Sequence, residues 1–176
     1  MKNIGRFLAV FVLFAVPALA EDSDLTLFGG VQFPGNITLS SAGSGASQLT
    51  NPKHFGVFGL RYGKAKLWGH EESFAYTPNF LDSNSKSIIM SSNFLVQIPT
   101  PAVKPYATVG MGPLLSWGIG PSDIGTKFAV NYGGGVKVKP EGPVGVRFDA
   151  RGYSVFGAQN QTLKMVEVTV GVLFGF

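Results

Sequence analysis

The chain has no cysteine. That excludes disulfides, thiolate catalysis and a lipid-modified N-terminal cysteine. Charge is sparse, at 14% of 176 residues, and the only histidines are His54 and His70. Two histidines and scattered carboxylates offer no ligand spacing of the H-x-x-x-H kind, so neither a metal site nor a cofactor is expected. After the first twenty residues no apolar run approaches the ~20 residues that a spanning helix needs. Amphipathic helical periodicity and solenoid-type repeats are missing too. A membrane crossing by this chain therefore has to be made with strands.

The N-terminus carries an export signature. Lys2 and Arg6 form a positive segment, Phe7 to Val16 is unbroken apolar sequence, and Ala18-Leu19-Ala20 offers a small-residue cleavage site. The expected processing is removal of residues 1–20 as a signal peptide, leaving a single domain over 21–176. Removing Lys2 and Arg6 leaves 12 basic and 10 acidic residues. So small an excess gives no nucleic-acid footprint.

What the chain has in abundance is alternation. Its last segment, VEVTVGVLFGF, places Val166, Val168, Val170, Val172, Phe174 and Phe176 on one row, a two-residue period that means an extended strand. An apolar strand at a chain end is an aggregation hazard unless its edge is paired. Lipid outside a closed ladder resolves that hazard. Eight such strands are expected, at about Leu25–Phe33, His54–Tyr62, Ala65–Tyr76, Ser87–Ile98, Val103–Trp117, Lys127–Lys139, Val144–Phe156 and Leu163–Phe176. Tight Gly/Pro turns fall at Gly63-Lys64, Pro99–Ala102 and Pro140–Pro143. Longer polar loops fall at Pro34–Lys53, Thr77–Lys86, Gly118–Thr126 and Gly157–Thr162. The first of these, with SSAGSGAS at its centre, reads as a mobile loop without elements of its own. Short turns alternating with long loops suit an all-β, eight-stranded antiparallel up-and-down transmembrane barrel, with the turns periplasmic and the loops outside.

Parity assigns the faces. Val144, Val146, Phe148 and Ala150 oppose Arg147, Asp149, Arg151 and Tyr153. Arg or Lys at the bilayer midplane costs about 2–4 kcal/mol, so the charged row faces the lumen. Arg61, Glu71, Lys137, Arg147, Asp149, Arg151 and Glu167 are thus expected as an interior ion-pair network. On the outward row, Phe74, Tyr76, Trp117, Phe128 and Phe156 approach one rim, while Tyr62, Phe174 and Phe176 approach the other, forming two aromatic girdles. Two features strain this pattern. His70 and Glu72 share the register of Phe74 and Tyr76 unless a bulge intervenes, and Pro113 removes a ladder donor, which predicts a ladder weakening toward the outer rim.

Val103–Gly112 (VKPYATVGMG), Phe128–Val138 (FAVNYGGGVKV), Val144–Tyr153 (VGVRFDARGY) and the terminal Phe176 together resemble small OmpA-like outer-membrane barrels. The resemblance implies a Gram-negative-type outer membrane, with lipid and lipopolysaccharide around the barrel. It also implies that the barrel-assembly machinery reads Phe176. No peptidoglycan-binding domain follows the strands, so the resemblance does not extend to a cell-wall tether.

An eight-stranded barrel is just wide enough for side chains to fill. The interior charges read first as a plug, with a narrow gate as the alternative. His70 has Glu71, Glu72 and Ser73 beside it, but neighbours in a strand point to opposite faces, which opposes a His–carboxylate pair. Gly133–Gly135 lies mid-strand with no helix after it, so it is no phosphate loop; it suits close approach by a neighbouring strand or an interior aromatic. A soluble lipocalin-like barrel would place its polar row outside, contrary to this pattern. The expected role is a non-catalytic outer-membrane protein that works through its extracellular loops, followed by a narrow passive small-solute channel, then an enzyme acting on lipid A. Membrane-fraction protein should show heat-modifiable electrophoretic migration; recovery of the mature chain in the soluble periplasmic fraction would refute the barrel.

Overall fold

The computed structural model describes residues 23–35, 37–40, 47–50, 54–118, 123–139, 142–158 and 160–176. The leader expected at 1–20 lies outside the described residues. Among them are ten strands and no helix: β1 (Ser23–Pro34), β2 (Ile37–Ser40), β3 (Ser47–Thr50), β4 (Phe55–Ala65), β5 (Trp68–Pro78), β6 (Lys86–Gln97), β7 (Val103–Trp117), β8 (Thr126–Val138), β9 (Val144–Ala158) and β10 (Gln161–Gly175). Eight close into an antiparallel barrel in the order β1-β10-β9-β8-β7-β6-β5-β4, while β2 pairs only with β3. The eight-stranded all-β fold legible in the alternation is the fold observed.

The register defines the barrel's slant. Leu25 pairs with Phe174 on one side and Tyr62 on the other. Following the pairs onward leads through Glu72, Ser92, Met111, Val130 and Ser154 to Lys164. The circuit thus returns to β10 ten residues from where it left. With a rise of ~3.3 Å per residue and a spacing of ~4.8 Å between strands, that stagger tilts the strands by about 40°.

Three local expectations need correction. The hairpin expected to turn at Gly63-Lys64 turns at Lys66-Leu67 instead. Gly63 remains in the ladder opposite Glu71, and Lys64 opposite His70, because each added pair satisfies backbone groups that a Gly would leave to solvent. The first long loop is not without elements: Ile37–Ser40 and Ser47–Thr50 pair antiparallel across the Ser/Gly-rich centre. Here Ile-Thr-Leu and Gln-Leu-Thr supply short alternating runs that the small residues obscure. Pro113 disturbs only one side of β7. Its pairing with Phe128 on β8 is continuous, whereas pairing with β6 skips from Ile89↔Leu114 to Ser92↔Met111 and then holds again up to Lys86↔Trp117. A missing N–H is thus a local fault, not a weakened rim.

Burial alternates along most of the wall. On β9, Val146 and Phe148 are exposed while Arg147, Asp149 and Arg151 are buried. On β10, Val166 to Val172 form an exposed apolar row opposite buried Glu167 and Thr169. The usual arrangement of a globular protein is therefore inverted, with apolar residues outside and charge within.

The glycine run on β8 has a steric reason. Gly135 lies opposite Tyr106 on β7 and Asp149 on β9. A Cβ built there would collide with the Phe148 carbonyl and the Tyr106 hydroxyl. The glycine lets the phenol cross the lumen, as an interior aromatic requires. Gly135→Val should destabilise the barrel by the ~1–3 kcal/mol typical of overpacking, read as a lower urea midpoint for loss of the heat-resistant folded band.

Candidate functional site

The alternation of β4, β5, β8, β9 and β10 delivers all seven charged residues singled out from the sequence to the barrel interior, each nearly or fully buried. Asp149 is the centre. Its carboxylate lies 2.9 Å from Arg61, 2.8 Å from Arg147 and 3.0 Å from Arg151, and accepts a hydrogen bond from the Tyr106 hydroxyl. Glu71 bridges the other ends of two arginines, 2.6 Å from Arg147 and 2.7 Å from Arg151. Only the Arg151 contact is aligned as a hydrogen bond. Glu167 sits 2.7 Å from Arg61 and accepts a hydrogen bond of 2.8 Å from Gln32. The Arg61 guanidinium also stacks 3.8 Å from the Phe28 ring centroid.

Lys137 lies 2.5 Å from Asp24, whose other carboxylate oxygen is 3.9 Å from Arg147 and so joins this pair to the cluster. Asp24 was not anticipated, because the first two residues of β1 precede its alternating apolar row. Neither was Tyr106, which stacks over the Arg147 guanidinium at 4.6 Å and accepts from its Nε at 2.9 Å. The Pro-Tyr sequence marks the residue but not its direction. Among the described residues, the paired interior charges come to four cations and four anions. Neutral links extend the network: Thr77 donates to Gln32, and Asn131 donates to Asn93 at 2.9 Å.

Toward the long-loop end the interior becomes apolar. Phe28, Phe55, Ile89, Leu114, Val155 and Leu163 pack there, joined by two loop residues, Phe80 and Leu81. Asn79 and Leu81 both adopt positive φ, at 59° and 61°. That turn folds the 79–85 loop inward and places the fully buried Phe80 edge-on to Phe55 at 5.5 Å. Leu81 in this region is unusual for a non-glycine residue, and the contacts Phe80 gains offset its cost. Reading the segment only as polar loop hid this stopper. The clue was the apolar pair Phe80-Leu81 between Asn79 and Asp82.

At the short-turn end the lumen opens into a cavity of about 190 Å³ lined by Asp24, Gln97, Lys104, Lys137 and Lys139. Outside the barrel, the Tyr76 ring neighbours Phe58 at 5.2 Å and Trp117 at 6.5 Å, and Phe74, Phe128 and Phe156 share its outward parity. Tyr62, Phe174 and the exposed Phe176 lie toward the other rim. His70 and Glu72 face outward with no intervening bulge, and Glu72 accepts a hydrogen bond of 2.8 Å from Ser92. His54 is also outward, its ring 6.1 Å from that of Phe33. Among the described residues no three His, Cys, Asp or Glu side chains are grouped to hold a metal ion.

The fold has clear relatives. Neisserial surface protein A superposes with a TM-score of 0.65 at 14% identity, over 89% of this chain and 98% of its own. The N-terminal barrel domain of Pseudomonas aeruginosa OprF gives 0.53 at 13% identity, covering 88% and 98%. The attachment invasion locus protein Ail of Yersinia pestis gives 0.51 at 17% identity, covering 88% and 100%. Identities this low speak for the shared barrel alone. Comparison with curated protein sequences finds no significant match. The profile of the outer membrane protein beta-barrel domain matches residues 7–176. With the closed barrel, its inverted burial and that match in hand, the chain belongs to the outer membrane protein beta-barrel domain family, and its place is the bacterial outer membrane.

Proposed function

We propose that this protein is a non-catalytic integral barrel whose lumen is sealed and whose working surface is the set of long loops. The filled interior carries this reading: four ion-paired cations and four anions beneath an apolar stopper. An ion entering from the long-loop end would meet the dry layer around Phe55 and Phe80 first, and then fixed charges that are already neutralised. Desolvating it there costs several kcal/mol with no free partner in compensation. The charged cluster is a structural plug, since its members touch one another from six different strands and brace the wall from within.

The orientation that fits best puts the turns in the periplasm and the long loops, including the β2–β3 hairpin, outside. Phe74, Tyr76, Trp117, Phe128 and Phe156 then meet the outer interface, and Tyr62, Phe174 and Phe176 the inner one. Outer-membrane lipid and lipopolysaccharide surround the wall. Phe176, whose backbone N–H donates to Ser23 at 2.9 Å, presents its ring to the assembly machinery. The leader is removed after Ala20. Catalysis finds little support, because His54 and His70 both point out of the barrel, away from the interior carboxylates. Ail is an attachment invasion locus protein; a comparable surface role for this chain would reside in its loops.

Purified protein in planar bilayers should show no steady openings; reproducible conductance that responds to lumen-charge substitutions would establish the channel reading instead. Asp149→Ala should be the most damaging single lumen substitution, since it removes the one carboxylate shared by three buried arginines and leaves them only Glu71 and Glu167. The expected loss is about 3–5 kcal/mol, measured as a shift in urea midpoint. Glu167→Ala, which leaves Arg61 still paired to Asp149, should cost less.

A further inference from the structure

On the outer wall, toward the long-loop end, one cross-strand row runs Tyr132–Gly152–Val166–Phe33 across β8, β9, β10 and β1. Tyr132, Val166 and Phe33 are large and exposed. Gly152 between them has no side chain, and the next outward residue on β9 is the small Ser154, opposite Lys164. Two small residues in succession cut a trough of about 270 Å³ into an otherwise bulky wall. The Tyr132 ring leans over Gly152, where an added Cβ would lie 2.9 Å from its Cζ, and lines the trough. Exposed Lys164 stands at the upper end. Its backbone carbonyl accepts a hydrogen bond of 2.7 Å from Gly35, which anchors the strand just where β1 ends.

The slant of the barrel sets the levels. At a tilt of about 40° each residue climbs roughly 2.5 Å along the axis, and each step to the next strand about 3 Å. Lys164 and His54 therefore stand at nearly one height, and Tyr132 lies roughly 11 Å below them. That drop runs from the headgroup region into the hydrocarbon. Lys164 and His54 flank Phe33 on the strands either side of β1, about 10–12 Å apart. The site thus offers an apolar trough with Lys164 at its mouth and His54 just beyond Phe33, the two set too far apart for one phosphate.

We infer that this trough is a specific site for the phosphorylated glycolipid of the outer leaflet, lipid A. One acyl chain lies along Tyr132, Gly152 and Val166, one phosphate sits on the Lys164 ammonium, and a second headgroup group accepts a hydrogen bond from the His54 ring. The separation of the anchors favours a wide diphosphorylated headgroup over a phospholipid carrying a single phosphate. The assignment rests on the orientation proposed above, since with the loops inside the trough would meet the inner leaflet.

The test is native mass spectrometry of the full mature chain released from detergent with bisphosphorylated lipid A or phosphatidylglycerol, every variant first being shown to fold by its heat-shifted band. One retained lipid A is expected. Lys164→Gln should weaken retention about fivefold, the worth of one lysine at a lipid phosphate. Ser154→Trp, which fills the trough on a row that already tolerates bulk, should abolish it. Phosphatidylglycerol should be retained far more weakly than lipid A. Equal retention by wild type and both variants, or phosphatidylglycerol bound as tightly as lipid A, would overturn the site. An epitope inserted between Ser40 and Ser47 and probed on intact cells tests the orientation separately. An inaccessible epitope overturns the orientation and with it the choice of an outer-leaflet lipid. An accessible epitope together with unaltered variants overturns the trough alone.

Discussion

The charged middle of the barrel is arranged around the Asp149 carboxylate. Three guanidinium groups converge on it, and isolated charges in so dry a place would each cost several kcal/mol. Glu71 and Glu167 exist in this arrangement because one carboxylate cannot neutralise three arginines. Tyr106 closes the remaining approach to Asp149, and Gly135 is there because Tyr106 must cross the lumen. The choice of residue at one interior position thus dictates those on β4, β5, β7, β8 and β10. Such mutual dependence favours a single register, because sliding any of these strands by one residue would turn a charge out into lipid.

The outer wall obeys a looser rule, and its exceptions lie at defined levels. Lys64 and His70 face outward near the short-turn rim, where polar groups reach headgroups at small cost. Glu72 lies deeper, and its hydrogen bond from Ser92 on the neighbouring strand lowers the cost of that position. The exposed Val and Phe rows elsewhere on the wall need no individual partner, because lipid solvates any apolar side chain equally well.

The legible part of this fold was the part written with a period of two. Strand β7 has the same ends in sequence and in structure, and the Arg147–Asp149–Arg151 spacing alone puts those residues on one face. That they face inward follows from the cost of charge in lipid. The sequence could not say which charge meets which, since pairing across β4, β9 and β10 depends on a ten-residue stagger that no local pattern encodes. The shifted turn at Lys66-Leu67 was missed because Gly63-Lys64 is the stronger local turn signal, and sheet pairing overrode it. Phe80 was missed for a related reason. Its burial depends on positive φ at Asn79 and Leu81, a backbone choice with no periodic signature. Asp24 precedes the alternating row of its strand and becomes interior only once Lys137, far along the chain, lies beside it.

The seam between β1 and β10 gives the barrel a sense of time. Asp24 pairs with Gly175, so the first and last strands of the wall meet across nearly the whole of the described chain. Local hairpins can form as soon as their own residues are present, but this contact must wait for all of them, and closing so long a loop is slow. Until it forms, β1 and β10 are two open, apolar edges of one curved sheet, each able to pair with another chain. The interval between the making of the last hairpin and the sealing of this seam is when the molecule is most exposed to misassociation.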